Sequence, residues 1–377
     1  MNLRHQSFLL CLCVVFLMVT SALAGQLQAE ESPTRIGIVG LVHTHVHWIL
    51  GEWNNDDYQV VGIVEPNREL AEQYAQQHGY PMEIVFETME EMVEATNPEA
   101  VTAFNTIYGH LKVVEFCAPR GIHVMVEKPL AVNLDHARQM EALAKEHNIH
   151  LLTNYETSWY PSHSSAYDLI HAEDQIGDIR KMVFHHGHPG PIEIGCNPEF
   201  VEWLTDPALN GGGALTDFGC YGANLSTWML LGEEPLTVSC TRQTFKPDMY
   251  PEVEDEATIV LTYPTAQVII QASWNWPYNR KDMEVYGESG YVVCENGQSL
   301  EILRTGEEQA ESMIGTPLSG ELSNPFRYLG AVLRGDITPR SHEVSALPNN
   351  MTVMRILEAA RLSAERGEVI EWSEVAE

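Results

Sequence analysis

Two short stretches of this sequence carry the residue types that acid–base chemistry needs. The first is Glu127, Lys128 and Pro129, which follow the apolar residues 122–126. Those apolar residues predict a buried strand, and ligands bind at the carboxyl ends of strands in an open α/β sheet. Proline ends the strand because it has no N–H to donate to the sheet. The pattern predicts that Lys128 points into a crevice; a surface lysine before a turn is the alternative.

The second stretch contains Asp217 and Tyr221, preceded by glycines at positions 211–213. These glycines allow a close backbone approach, and the residues after them predict a helix. Asp217 and Tyr221 stand at i and i+4 of that helix, so their side chains point the same way. A carboxylate, a phenol and a lysine together could move a proton at a ligand hydroxyl. The alternative is a glycine turn whose helix uses Tyr221 for core packing.

The elements that must position these residues follow from the hydrophobic pattern. Between residues 34 and 154 short apolar strands alternate with helical stretches. The predicted strands are 35–39, 60–64, 100–104, 124–126 and 150–153, and the predicted helices are 69–77, 89–95, 111–118 and 134–146. This alternation indicates parallel strands joined by right-handed crossovers. Residues 33–154 are therefore predicted to form a Rossmann domain with a doubly wound parallel sheet.

After residue 154 the pattern changes to closely spaced runs with β character. A helix at 164–171 and a strand at 180–186 come first, and helices at 325–333 and 350–366 end the chain. The β runs after the glycines are 236–244, 257–263, 267–273, 283–286 and 291–295. Short turns between them favour antiparallel pairing. Residues 155–377 are therefore predicted to form a C-terminal α/β domain with a large, mostly antiparallel open sheet, so the fold class is α/β.

The first predicted strand runs into a loop that matches only part of a dinucleotide fingerprint. Counted from Gly40, the motif G-x-G-x-x-G has Val42 and His45 at its second and third glycine positions. The second glycine normally lets the backbone approach pyrophosphate, so the branched Val42 weakens the prediction. A helix N-terminus can still bind phosphate through its free N–H groups, with the imidazole of His43 or His45 as an added donor.

Glu65 supports nucleotide binding. It ends the second predicted strand, 25 residues after Gly40, close to the spacing of a carboxylate that binds the adenosine ribose. A carboxylate there repels a 2′-phosphate, so NAD is favoured over NADP. An ordinary acidic turn residue before Pro66 is the alternative.

Several histidines are spaced in a way that raises the question of a metal. On a helix His43 and His47 would share a face, as two zinc ligands do. No third ligand follows at motif spacing, and the pair His186 and His188 has the same defect. No metal site is predicted, and phosphate contacts or polar lining are favoured.

These motifs together resemble the Gfo/Idh/MocA family, which is named after glucose–fructose oxidoreductase and inositol dehydrogenase. The resemblance covers essentially all of the chain after the first 24 residues. It is carried by residues 35–40, by Asn105 with His110, by residues 127–129 and by residues 211–221. Tyr221 and Asn224 replace the histidine and aspartate that are common in the family. In this the chain is similar to the glucose–fructose oxidoreductase branch and its dihydrodiol and xylose dehydrogenase relatives.

The resemblance implies an NAD-dependent oxidoreductase that transfers hydride from a sugar hydroxyl. It implies Tyr221 as the base, and we expect Lys128 to lower the pKa of this phenol from about 10 by stabilising the phenolate. Asp217 would orient the substrate or the lysine. Glu127 would lie near the nicotinamide ribose, with Asn105 and His110 also on the cofactor side. The candidates for the wall of the sugar site, with core packing as the alternative for the tryptophans, are Trp159, His186, His188 and Trp203.

Charge and the N-terminal residues limit the partners and the compartment. The formal net charge of −32 argues against nucleic acid and anionic membranes as partners, so a neutral small molecule is favoured. Residues 1–24 have one cation, a long uncharged run and a small-x-small end, which predicts a Sec-type signal peptide; a membrane anchor is the alternative. Removing them takes away one arginine and changes the charge to −33. Export to the periplasm or outside the cell is expected, with no membrane association after cleavage.

Five cysteines remain after residue 24, and the spacing of these residues shows no CxxC pair. Most are expected to pack as small apolar residues, with one disulfide left open. An exported enzyme would have to retain and recycle its cofactor. Three functions therefore stay open: a sugar oxidoreductase, a redox-neutral glycosidase or lyase with bound NAD, and a carbohydrate-binding protein on a dehydrogenase scaffold. The open sheet of the family favours a homo-oligomer.

Overall fold

Six parallel strands form the first sheet of the computed structural model, which describes residues 32–376. They are β1 (Thr34–Val39), β2 (Tyr58–Val64), β3 (Val85–Phe86), β4 (Ala100–Ala103), β5 (His123–Glu127) and β6 (Leu151–Asn154). Their order across the sheet is β3-β2-β1-β4-β5-β6. The winding reverses between β1 and β4, and a doubly wound sheet binds its ligand at this switch point. The predicted Rossmann sheet is confirmed.

The helices of this half begin at caps that the sequence encodes. They are α1 (Val46–Leu50), α2 (Arg68–His78), α3 (Met89–Thr96), α4 (His110–Cys117) and α5 (Leu134–Glu146). The side chains of Asn67, Thr88 and Asn133 accept a backbone N–H at the starts of α2, α3 and α5. Each such cap contributes about 0.5–2 kcal/mol because it satisfies a donor that the helix leaves free.

A nine-stranded sheet forms the second half. Its strands are β7 (Ile179–Gly187), β8 (Thr237–Gln243), β9 (Glu256–Thr262), β10 (Gln267–Ser273), β11 (Arg280–Gly287), β12 (Gly290–Cys294), β13 (Ser299–Arg304), β14 (Glu311–Ile314) and β15 (Ile370–Glu371). Their order is β14-β13-β12-β11-β7-β10-β9-β8-β15. Only β7 and β10 pair in parallel; the other neighbours are antiparallel. The predicted mostly antiparallel sheet is confirmed, and the fold class is α/β.

The helix that follows the glycines at 211–213 packs on this sheet. The helices of the second half are α6 (Pro161–Tyr167), α7 (Pro198–Leu204), α8 (Pro207–Asn210), α9 (Ala214–Met229), α10 (Pro325–Arg334) and α11 (Leu347–Arg366). Every residue of α9 is buried, including the polar Asp217 and Asn224. A Cβ on Gly222 would lie 2.6 Å from the side chain of Ile270. Glycine therefore lets α9 pack closely on β10.

Helix α10 returns to the first sheet. Its Phe326 and Leu329 are buried in one hydrophobic cluster with Ile36 of β1 and Tyr58 of β2. The Tyr58 and Phe326 rings are 5.6 Å apart. Residues from both halves of the chain therefore pack in the core beside the first sheet. The division into domains at residues 33–154 and 155–377 stays a prediction.

The predicted signal peptide, residues 1–24, lies outside the described residues. Within residues 32–376 no helix has the length and apolar character needed to cross a membrane.

Candidate active site

The loop after β1 needs glycine at its first position. Gly40 has φ +83°, and a Cβ there would lie 2.8 Å from the backbone and Cβ of Asn105. Both the conformation and the space exclude a larger residue. Gly40 and Asn105 line a cavity of about 620 Å³ at the carboxyl ends of β1, β2 and β4, together with Val42 and Glu65. This cavity lies where a doubly wound sheet holds a dinucleotide.

Gly40→Ala is expected to lower both stability and NAD affinity. The left-handed backbone alone costs a residue with a side chain about 1–2 kcal/mol. The clash with Asn105 adds to this cost and displaces the loop. Because a displaced loop loses at least one charge-assisted hydrogen bond to NAD, binding should weaken about tenfold or more. Urea unfolding and NAD titration by calorimetry measure the two effects.

Gly79→Ala is the matched control. Gly79 has φ +77°, but a Cβ there would have no atom within 4 Å. It should therefore show the backbone cost without the loss of NAD affinity. Equal NAD affinity in both variants would contradict the role of the Gly40 loop.

Glu65 holds the loop as well as lining the cavity. The backbone N–H of Leu41 donates to its Oε2 at 3.0 Å, and that of Asn67 donates to Oε1 at 2.8 Å. Burial raises the pKa of Glu65 despite these two bonds. The structure thus places Glu65 at the predicted cofactor position, with both oxygens already accepting a backbone hydrogen bond; its contact with the ribose stays a prediction.

His43 presents an unpartnered N–H inside the protein. It is 1% exposed, and burial lowers its pKa well below 6.5, so the ring is neutral. Nδ1 accepts the backbone N–H of His45 at 3.2 Å, which leaves the proton on Nε2. This Nε2 has no hydrogen-bond partner among the described residues. His43 is therefore a donor for an acceptor atom of a bound ligand.

His45 connects the loop to the end of β5. Its Nδ1 lies 2.9 Å from Glu127 Oε2, and its ring stacks on Trp48 at 4.0 Å. Asn154 donates to the other Glu127 oxygen at 2.7 Å and accepts from Trp159 Nε1 at 2.8 Å. Three predicted site residues, His45, Glu127 and Trp159, thus belong to one hydrogen-bonded chain.

One group of side chains could offer three ligand atoms to a metal. Atoms of His43, His45 and Glu127 lie within 4.8 Å of one another. The proton on His43 Nε2 and the nearby charge of Lys128, which also lowers the His43 pKa, both oppose a cation there. The absence of a metal remains a prediction from the sequence.

Asn105 lines the cofactor cavity, and His110 begins helix α4, whose Lys112 and Val113 also line it; cofactor binding by His110 and Asn105 stays a prediction. His110 is fully buried, and burial lowers its pKa to about 4. Its Nδ1 is 3.1 Å from the carbonyl oxygen of Leu130 and donates to it, so Nε2 carries a lone pair. That Nε2 and Asn105 Oδ1 have no partner within the described part of the chain. Both are buried acceptors without a donor in the described residues, and Asn105 is the one that lines the cavity.

Helix α7 covers the loop from the other half of the chain. Trp203 Nε1 donates to the carbonyl oxygen of Val42 at 3.3 Å. The Trp203 and Phe200 rings lie 5.7 and 5.2 Å from that of His43. The structure therefore groups Trp203 with the cofactor loop; its place in a sugar wall stays a prediction.

Lys128 and Asp217 meet as a buried ion pair, 89 positions apart in the chain. Lys128 Nζ donates to the carbonyl oxygen of Asp217 at 2.9 Å and to its Oδ1, and Trp274 Nε1 donates to Oδ2 at 2.9 Å. Burial opposes both charges, but each partner outweighs it. The pKa of Lys128 is raised and that of Asp217 is lowered. Both groups are therefore charged at neutral pH.

Tyr221 lies beside this pair but is not a preformed phenolate. Lys128 Nζ is 5.1 Å from the centroid of its ring. Burial, followed by the charge of Glu156, raises the pKa of Tyr221 well above 10. The expectation that the pKa of Tyr221 is lowered is wrong, because burial disfavours the charged phenolate and the nearby acidic groups raise the pKa further. The structure brings Lys128, Asp217 and Tyr221 together, while their catalytic roles stay predictions.

His186, in β7, and His188, just after the end of that strand, contact aromatic residues of α9. The His186 ring is 5.9 Å from Tyr221, and that of His188 is 4.9 Å from Phe218. Burial lowers the pKa of His186 well below 6.5 and that of His188 to about 4, so both are neutral. Both His186 nitrogens lack a partner within residues 32–376. His186 therefore lies beside Tyr221 and His188 beside Phe218, while their contact with a substrate stays a prediction.

Three further residues escaped the sequence patterns. Glu254 Oε1 accepts the N–H groups of Gly213 at 2.8 Å and Leu215 at 3.1 Å, and so holds the start of α9. Lys281 and Glu156 form an ion pair near Tyr221. Glu156 follows the end of β6, so the strand-end rule applied to Lys128 could have found it. Lys281 could have been found by extending the predicted strand at 283–286 toward its N-terminus.

The cysteines form no disulfide in the described residues. Cys117, Cys196, Cys220, Cys240 and Cys294 are all free thiols. Burial raises the pKa of each, to about 12 for Cys220 at the active site, so none is a reactive thiolate at neutral pH.

The fold and this site define a Rossmann-type dinucleotide-binding protein with a second, open-sheet half. Residues 34–155 match the family model described as "Oxidoreductase family, NAD-binding Rossmann fold", and residues 166–293 match "GFO/IDH/MocA C-terminal domain". The chain belongs to the Gfo/Idh/MocA family of oxidoreductases. Its N-terminal half is an NAD-binding Rossmann fold.

Individual relatives agree with this family. Trans-1,2-dihydrobenzene-1,2-diol dehydrogenase of Xenopus laevis is 29% identical over 217 residues, 58% of this chain and 61% of that protein. The match thus spans about three fifths of that relative's length. An aldose-aldose oxidoreductase of Caulobacter crescentus in complex with glycerol has a TM-score of 0.74 at 23% identity, covering 90% of this chain and 99% of the other.

A second solved structure gives the same fold. An inositol dehydrogenase homolog of Azotobacter vinelandii in complex with NAD+ has a TM-score of 0.78 at 20% identity, covering 91% of this chain and 98% of the other. At these identities the structural likeness establishes the fold.

Proposed function

We propose that this protein is an NAD-dependent oxidoreductase that removes hydride from a CH–OH group of a sugar or sugar derivative. The observation that carries the proposal is that the side chains of Lys128, Asp217 and Tyr221 come together. Lys128 follows strand β5, which is the neighbour of β4, one of the strands at whose ends the cofactor cavity lies. An ammonium and a phenol at one point can bind and deprotonate a hydroxyl. The names of two similar proteins support this class of substrate: one is a diol dehydrogenase, and the other is an inositol dehydrogenase homolog.

The residues of the cavity fit a dinucleotide. Gly40 lets the loop pass close to Asn105, whose Oδ1 is a buried acceptor without a partner in the described chain, and His43 Nε2 and His110 Nε2 are likewise buried and unpartnered there. Gly40, Val42, His43, Glu65 and Asn105 would hold the nucleotide. When bound, NAD accepts a hydride.

The chain's own residues handle the proton of the reacting hydroxyl. Lys128 is charged and fixed by Asp217, so it can donate a hydrogen bond to the oxygen and favour loss of the proton. Tyr221 receives the proton. Because burial raises the Tyr221 pKa, only a small fraction of the tyrosine is ionised at neutral pH, and this fraction limits the rate.

We also propose that the protein is exported and keeps its NAD bound between catalytic cycles. The predicted signal peptide supports export, and the bond from Trp203 to the carbonyl of Val42 supports slow release because helix α7 covers the loop. The proposal also includes a homo-oligomer formed through the second sheet. Val183, Ile269 and Val260 are direct neighbours across three strands and are partly exposed on the face opposite α9.

Native mass spectrometry of the protein purified from an exporting host tests these points together. We expect one NAD per chain, a chain that begins near Gly25 and a mass of two or more subunits. Absence of NAD, with no thermal shift on adding millimolar NAD or NADP, would exclude both NAD-dependent functions and leave the sugar-binding scaffold. If NAD is present, a sugar screen that yields cleaved product without accumulation of NADH would identify the redox-neutral reaction instead.

A further inference from the structure

A second ion pair lies over the same aromatic rings as the first. Lys281 Nζ is 2.8 Å from Glu156 Oε2. It lies 5.6 Å from the Tyr221 ring centroid and 5.9 Å from that of Phe218, while the corresponding distances for Lys128 are 5.1 and 5.8 Å. Two lysines therefore flank one pair of rings.

The two ion pairs differ in accessibility. The side chains of Lys128 and Asp217 are 7% and 5% exposed, whereas those of Lys281 and Glu156 are 18% and 29% exposed. The first pair is buried, whereas the second pair is partly accessible to solvent.

Glu156 stays a carboxylate in this position. Burial opposes its charge, but Lys281 and then His45 outweigh burial and lower the pKa of Glu156 to about 2. Its Oε1 also accepts a hydrogen bond from the Tyr160 hydroxyl. Glu156 is therefore within electrostatic range of both the cofactor loop, through His45, and Tyr221.

The strand directs Lys281 to this side. Lys281 pairs with His186 across β11 and β7, and His186 contacts Tyr221. The adjacent Arg280 points to the opposite face, where its guanidinium lies 4.5 Å from the Trp276 ring. Alternation along a strand thus separates two neighbouring cations.

We propose that Glu156 and Lys281 bind the substrate hydroxyl adjacent to the one that is oxidised, and so select vicinal diols. A hydroxyl has one donor and two acceptor positions. The substrate hydroxyl can donate a hydrogen bond to the carboxylate of Glu156 and accept one from the ammonium of Lys281. The ammonium has three N–H donors, so it can bind Glu156 and the hydroxyl together. The neighbouring carbinol then lies at Lys128 and Tyr221. This inference rests on the oxidoreductase function proposed above.

The test compares trans-cyclohexane-1,2-diol with cyclohexanol on the NAD-loaded protein. We expect the wild type to have a kcat/KM for the diol about 10- to 100-fold above that for the mono-alcohol, the value of a hydrogen bond to a charged group. Lys281→Met and Glu156→Gln should each bring this ratio close to one, while the absolute rates on both alcohols also change through the effect of Glu156 on the pKa of Tyr221. Arg280→Met, the neighbouring cation on the other face, should preserve it.

The double variant Glu156→Gln with Lys281→Met is the control for misfolding, because it removes both charges of the ion pair and leaves neither one unpaired. It should be as stable as the wild type and lack the diol preference. A wild type without preference, or a variant that loses both activities equally, would overturn the diol site while the oxidoreductase function stands.

If neither alcohol is oxidised, calorimetry with the same two compounds decides. Tighter binding of the diol that disappears in Lys281→Met would support the diol site even though the oxidoreductase function fails. Equal or absent binding of the two compounds would overturn it.

Discussion

Lys128→Met is expected to reduce kcat by about 10²–10³-fold, as the loss of one preorganised donor to a reacting oxygen does. The same change leaves Asp217 buried without its partner, which should lower the free energy of unfolding by about 3–5 kcal/mol. Steady-state kinetics under saturating NAD and urea unfolding measure the two effects separately. A large loss of both is the expected result.

The double variant Lys128→Met with Asp217→Asn separates chemistry from structure. It removes both charges, and the amide still accepts from Trp274, whose Nε1 is 2.9 Å from Asp217 Oδ2. We expect most of the stability to return and the activity to stay lost. If activity returned together with stability, Lys128 would act only as the partner of Asp217, and its contact with the substrate oxygen would be disproved.

Tyr221→Phe is expected to lower kcat by about 10²–10⁴-fold, the contribution of a positioned acid–base group. The ring keeps its contacts with Tyr155 and Phe218, at 5.4 and 6.0 Å, so the free energy of unfolding should change little. Tyr155→Phe is the matched control. Its hydroxyl is buried without a partner among the described residues, and its loss should leave kcat unchanged.

The pH dependence of the wild type follows from the raised pKa of Tyr221. The deprotonated form is the active base, and below its pKa that form increases tenfold with each pH unit. We therefore expect kcat to rise from pH 6 through pH 10 without a plateau, and Tyr221→Phe to flatten this rise. A plateau near neutral pH in the wild type would show that another group takes the proton.

Local patterns predicted the parts of the fold that short segments encode. Five of the six parallel strands and the helices α2 to α5 follow from hydrophobic runs and from caps such as Asn67 and Asn133, all of which act over a few residues, whereas the short helix α1 was not predicted. The spacing of Asp217 and Tyr221 on one helix is local in the same sense. Strands β3 and β15 escaped prediction because two residues carry no periodicity.

Edge strands were missed for a related reason. Strands β13 and β14 lie at one edge of the second sheet and contain charged residues such as Glu301, Arg304 and Glu311. Charges on edge strands hinder pairing with other chains, but they also interrupt the apolar pattern that identifies a strand. The pattern therefore weakens where the sheet ends.

The sequence by itself determined the class of sheet, the glycine at position 40 and the residue types at the reacting centre. Only the tertiary structure decided which charges meet. It paired Lys128 with Asp217, brought Lys281 and Glu156 to Tyr221, and placed Trp203 on the cofactor loop. It also reversed the expected pKa shift of Tyr221. The physical reason is that ionisation depends on burial and on neighbours distant in the chain, whereas helices and strands depend on neighbours within a few residues.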